Sequence, residues 1–170
     1  MPTEAIHSSR EYRAIAAHYG DRCARRSGVR LMNHIDEGLR LLAHLGAGEP
    51  AMRAFCIHPI LQSDSDLAVA DLAAVTDDVA VMALAMEYRS VANAYLSPMG
   101  DRDPADIRLS PLSAVNDMLR ADKVQNYKDF LRFHDGIHDN SDGLHRYFQS
   151  WLTRLGIADR FEALCAAAAG

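Results

Sequence analysis

Three observations in the sequence predict an all-α domain. Apolar residues recur at spacings of three and four along most of the chain, the pattern of one buried helix face. Strand-like alternation competes with that pattern nowhere, and no internal repeat is visible. At 170 residues, 49% of them hydrophobic, the chain can close one core. A compact single-domain bundle of roughly six to eight helices is therefore expected over residues 1–170.

From Ser8 to about Arg25, Tyr12, Ile15, Ala16, Tyr19 and Cys23 share a face, Ser8 or Ser9 can cap the helix, and Glu11 suits its first turn. Ser27-Gly28 breaks the chain. A helix over Val29 to Leu45 follows, with Leu31, Ile35, Leu39, Leu42 and Leu45 inward, Gly46 as its C-terminal glycine, and His34 and Gly38 at the margin of the stripe. Glu49-Pro50 opens a third helix that carries Met52, Phe55 and Cys56 inward. It should end near His58, because Pro59 disfavours helical geometry at the residue before it.

Ile60 to Asp66 reads as a loop and Leu67 to Val75 as a short helix. Asp77-Asp78 caps a longer one through about Leu96, with Val81, Leu84, Ala85, Tyr88, Val91, Ala92 and Tyr95 inward. Ser97 to Pro111 is a proline-containing surface connection. Leu112 to about His134 is one long helix or two short ones, with Val115, Leu119, Val124, Tyr127 and Leu131 inward. Gly136 to Gly143 is a turn, and a final pair, Leu144 to Leu155 and Ala158 to Ala169, docks through Tyr147, Trp151, Leu155, Phe161 and Leu164.

Composition excludes several functions. A net charge of −5 argues against a nucleic-acid surface, which needs a concentrated basic patch. The one arginine cluster, Arg22, Arg25, Arg26 and Arg30, reads as a solvated helix edge, with an anion-binding role as the alternative. Cys23, Cys56 and Cys165 have no C-x-x-C spacing, which argues against a disulfide framework and a zinc knuckle and fits a reducing compartment. No apolar run approaches the roughly 20 residues of a membrane span, so a cytoplasmic protein with no membrane partner is expected. The small-residue tail Leu164 to Ala168 is either a dimer interface or the last turn of a docked helix.

His34 and His58 stand at the edges of successive helices, and neutral imidazole with carboxylate suits zinc, manganese or iron. Asp122 to Asp129 supplies the third stretch. Asp122 and Asn126 are four apart, as are Gln125 and Asp129, so each pair shares a helix face. The run is either a polar rib facing the histidines or a solvated face. Of its two lysines, Lys128 is the better candidate for an anionic ligand. The spacing of His134 and His138 suits a two-histidine clamp, which Gly136 weakens. Cys56 and His58 diverge on one helix, which argues against a Cys–His pair, and Gly46-Ala47-Gly48 lacks the features of a phosphate loop.

This order of a helix with an inward His, a second helix ending in a His, and a later helix with an Asp resembles the HD-domain superfamily over roughly Val29 to Asp129. The resemblance implies an all-helical metal-dependent phosphohydrolase or, in some members, a di-iron oxygenase. By position, His34 resembles the first metal ligand, His58 the histidine of the His-Asp pair and Asp122 the distant aspartate, giving H…HP…D with Pro59 in place of the pair's aspartate. Gln62, Asp64, Asp66 and Glu87 are the residues that could take that place, although Asp64 and Asp66 also read as ordinary helix caps. The expectation is a divalent metal ion (Zn, Mn or Fe) on His34, His58 and Asp122, with Glu87, Gln125, Asn126 and Lys128 assisting hydrolysis of a small phosphate ester. The alternative is a metal-free, degenerate HD-like domain that binds a small polar ligand or serves as a scaffold.

Overall fold

The computed structural model describes residues 2–25, 27–96 and 103–169. Arg26, and residues 97–102 of the expected surface connection, lie outside the described residues. The fold is all-helical: α1 (Pro2–His7), α2 (Arg10–Tyr19), α3 (Met32–His44), α4 (Glu49–Gln62), α5 (Asp64–Val69), α6 (Leu72–Val75), α7 (Val79–Ala94), α8 (Ser113–Phe133), α9 (Ser141–Arg154) and α10 (Phe161–Ala169). Short 3₁₀ turns at Pro104–Asp106 and Ala158–Arg160 lead into α8 and α10.

α4 is the central element. It packs along α7 and against α2, α3 and α8, and it buries Ala51, Met52, Ala54, Phe55, Cys56, Ile57, Ile60 and Leu61. Such all-round burial is the mark of an interior helix. α8 is enclosed by α3, α7, α4, α9 and α10, so its polar run lies inside the molecule, with Asp122, Lys123 and Gln125 all buried. Leu131, expected inward, is 38% exposed near the free end of that helix. α10 docks on α3 and α8, burying Leu164 and Ala168, and Arg40 Nε donates to the Ala168 carbonyl.

Several boundaries differ from the sequence expectation, and each has a local cause. α2 stops at Gly20, whose φ of 55° is a left-handed turn conformation. Arg22, Arg25 and Arg30 therefore lie in a loop, not on a helix edge; that loop is closed by the Cys23–Arg30 bridge, with Ala24 N donating to Val29 O and Leu31 N to Arg22 O. α1 was not anticipated. Residues 60–66 are helical apart from a break at Ser63, whose hydroxyl accepts from Asp66 N and starts α5, and Asp71 in turn caps α6. These short pieces bring the helices to ten among the described residues. Most important, α4 does not end at His58 but runs through Pro59 to Gln62.

Candidate metal centre

His34 stands one residue before the buried Ile35 of α3, so its side chain points along the α3/α4 seam and is 19% exposed. One turn later, Gly38 lets the Phe55 ring lie against the α3 backbone; a Cβ at that position would fall 2.1 Å from the ring. This contact closes α3 onto α4 and sets His34 beside His58, with the two ring centroids 5.2 Å apart. His58 is buried between Phe55 and Tyr88, at centroid distances of 4.6 and 4.8 Å. Asp122 of α8 completes the group.

The three polar atoms converge. His34 Nε2 and His58 Nε2 are 3.3 Å apart, and Asp122 Oδ1 lies 3.5 Å from the first and 3.7 Å from the second. A triangle of those sides has its centre about 2.0 Å from every corner, matching zinc–nitrogen and zinc–carboxylate bonds of about 2.0–2.2 Å. Among the described residues, these three form the group able to hold a metal ion.

The remaining nitrogens decide where the protons sit. His58 Nδ1 lies 2.6 Å from the Phe55 carbonyl, which can only accept, so Nδ1 carries the proton and Nε2 a lone pair. His34 Nδ1 lies 2.6 Å from Gln125 Oε1. The orientation of that amide is fixed because Gln125 Nε2 donates to Asp129 Oδ2 at 2.7 Å and to Glu37 Oε2 at 3.3 Å. His34 is therefore also the Nδ1–H tautomer. Two lone pairs and a carboxylate oxygen face one another, a donor set that attracts a cation and suits a first-row divalent ion.

Neighbouring charges hold this arrangement in place. Asp122 accepts from Asn126 Nδ2 at 2.8 Å and from the buried Lys123 Nζ at 2.9 Å. Burial alone would raise the Asp122 carboxyl, but Lys123, followed by the two histidines, keeps it well below the ordinary carboxylate range. Burial, then the neighbouring His34, pushes His58 down to about 3. Lys123 lies over the Trp151 and Tyr147 rings, at 5.1 and 5.6 Å. The Tyr88 hydroxyl is buried beside Asp122, and burial, followed by that carboxylate, holds the phenol in its protonated form.

A cavity of about 320 Å³ opens onto the group, lined by Tyr19, Arg30, Pro59, Gln62, Asn126 and Asp129 among others. Gln125 and Asn126 thus stand directly behind the two ligand types, on the spacing of four read from the sequence. Two other expected residues lie elsewhere. Glu87 accepts from Ser110 Oγ at 2.8 Å, and Lys128 is tied to Glu37 at 2.6 Å and to Asp129 at 3.1 Å; neither lines the cavity. Asp64 pairs with Arg89, and His138 Nδ1 accepts from the Asn140 amide. Sequence reasoning missed Glu37, which shares a helix face with His34, and the Phe55 carbonyl, whose signal was Pro59 four residues later.

Fold and site together define an all-helical protein with a His–His–Asp centre between three helices. No family model, curated protein or solved structure matches the chain.

Proposed function

We propose that the chain is a metal-dependent hydrolase of the HD-like kind, holding one divalent ion on His34, His58 and Asp122 and acting on a small phosphate ester. The observation that carries this reading is the convergence of both Nε2 atoms and Asp122 Oδ1 within 3.7 Å of one another, with the partners of each Nδ1 assigning the ring protons to the far side. A bound divalent ion supplies Lewis-acid activation of water at neutral pH. The chain's own residues do the rest. Gln125 and the Phe55 carbonyl fix the two imidazoles, Lys123 and Asn126 orient Asp122, and Arg30, Gln62 and Asn126 line the cavity a substrate enters. The phosphate ester is supported by the resemblance in helix order to the HD superfamily and by Arg30, a lining residue of the cavity whose guanidinium is paired with Asp21.

The metal-free reading, a pocket for a small polar ligand or a scaffold, is favoured by one feature, the Lys123 ammonium that already neutralises Asp122. Hydrolysis of p-nitrophenyl phosphate and bis-p-nitrophenyl phosphate by untagged protein loaded with Zn²⁺, Mn²⁺ or Fe²⁺ separates the two. Turnover that a chelator removes, that metal restores and that His58→Ala and Asp122→Ala abolish supports the hydrolase. Metal-loaded protein inactive on every monoester and diester tried refutes it.

A further inference from the structure

An α-helix that runs through a proline leaves one carbonyl without its partner, because proline has no N–H to donate to the residue four positions earlier. In α4 that proline is Pro59, and the carbonyl it leaves is that of Phe55. The group that takes this acceptor is the His58 imidazole, through Nδ1 at 2.6 Å. His58 is buried, which disfavours the doubly protonated ring, so the imidazole has one proton to place on either nitrogen. Its other nitrogen faces His34 Nε2 at 3.3 Å and Asp122 Oδ1 at 3.7 Å, two acceptors that would draw the proton inward. A proton there would fill the centre of the triangle and block it.

We infer that Pro59 is a positioning residue, which withholds a backbone N–H so that the Phe55 carbonyl holds the His58 proton on Nδ1 and leaves Nε2 open towards the site. The inference rests on the metal-centre reading for its purpose but not for its test. In that light Pro59 is more than the loss of a carboxylate from a His-Asp pair: it takes part in the centre through its neighbour's backbone. On the α3 side Gln125 does the same for His34 with a side-chain oxygen.

Pro59→Ala tests this directly, since it restores the backbone N–H and relieves the helix at the loss of two ring carbons from the cavity lining. Long-range ¹H–¹⁵N correlation spectra of the metal-free protein read the His58 tautomer. The native chain should give the Nδ1–H form, and Pro59→Ala should move it towards Nε2–H, with the new amide at position 59 protected from hydrogen exchange and the melting temperature unchanged or higher. Zn²⁺ affinity, measured by competition with a chromogenic chelator, should weaken by about 10- to 100-fold, the usual effect of losing such an outer partner. A native His58 in the Nε2–H form, or a Pro59→Ala tautomer identical to the native one, overturns the inference. A tautomer shift in a protein whose native form binds no Zn²⁺ upholds the role of Pro59 and refutes the metal reading instead.

Discussion

The Nε2 atoms of His34 and His58 lie 3.3 Å apart, and neither carries a proton to join them. Each ring has placed its proton on the far nitrogen, His34 for Gln125 and His58 for the Phe55 carbonyl. Two lone pairs held at that distance beside a carboxylate repel one another unless a cation sits among them, so the hydrogen bonds behind the rings set what the Nε2 atoms and Asp122 Oδ1 can hold together.

Of those two hydrogen-bond partners, Gln125 is the one reached by a simple substitution. Gln125→Ala removes the acceptor for His34 Nδ1–H and frees the ring to change tautomer. Isothermal titration should show Zn²⁺ or Mn²⁺ affinity about 10- to 100-fold weaker, with the all-helical circular dichroism retained. Undiminished affinity would mean that Gln125 does not set the ring.

Gly38 controls the approach of α3 to α4. Gly38→Ala sets a methyl carbon 2.1 Å from the buried Phe55 ring, so the helices must separate or the ring must turn. A loss of about 1–3 kcal/mol is expected from overpacking, measurable by urea denaturation, together with weaker metal binding as His34 moves away from His58. Unchanged stability would show that the ring shifts freely.

Lys123 and Asp122 form a buried ion pair 2.9 Å apart, with side chains 5% and 4% exposed. Lys123→Met leaves the carboxylate buried without its counter-charge, and a loss of about 3–5 kcal/mol is expected. Because a divalent ion would supply charge to the same carboxylate, added Zn²⁺ should raise the melting temperature of this variant more than that of the native chain. Equal responses would argue that the metal does not reach Asp122.

Acid sensitivity should arise from His58 and from two depressed carboxyls, Asp122 and Glu11. Glu11 is fully buried; burial would raise its carboxyl, but Arg53, which binds both its oxygens at 2.9 and 3.0 Å, and then Thr76 hold it below the ordinary value. Its contribution is therefore complete above the unfolded carboxyl value of about 4.3 and is lost as pH falls through the lower folded value. His58, pushed down to about 3 by burial, refuses a proton that the unfolded chain accepts below about 6.5, so metal-free stability declines as pH falls between those values. Urea midpoints from pH 7 to pH 3 should show both limbs. His58→Ala should flatten the upper limb, and Glu11→Gln should reduce the lower one, which Asp122 shares, at the cost of stability at pH 7.

Helix content was legible because most of these helices bury one stripe, and Asp78 and Ser9 cap their helices with side chains accepting from backbone amides as the sequence suggested. The meeting of His34, His58 and Asp122 was legible in outline from helix order. The polar rib of α8 could not be told from a solvated face, because what decides it is enclosure by five other helices, and no local pattern carries that. Pro59 misled for a similar reason. Local rules end a helix before proline, whereas tertiary packing of Ile60 and Leu61 keeps α4 going and turns the unpaired carbonyl into a partner for His58. Glu87, expected to assist at the site, instead accepts from Ser110 in the connection ahead of α8, a tertiary contact that no local pattern carries.

The most direct test of the metal centre is the metal content of untagged protein, purified from cells grown with added zinc, manganese and iron and analysed by mass spectrometry beside His34→Ala and Asp122→Ala. The account predicts about one equivalent of a single divalent metal in the native chain and loss of it in both variants, as expected when every ligand of a mononuclear site is required. Less than about a tenth of an equivalent in the native chain after supplementation, or full retention in either variant, would contradict it.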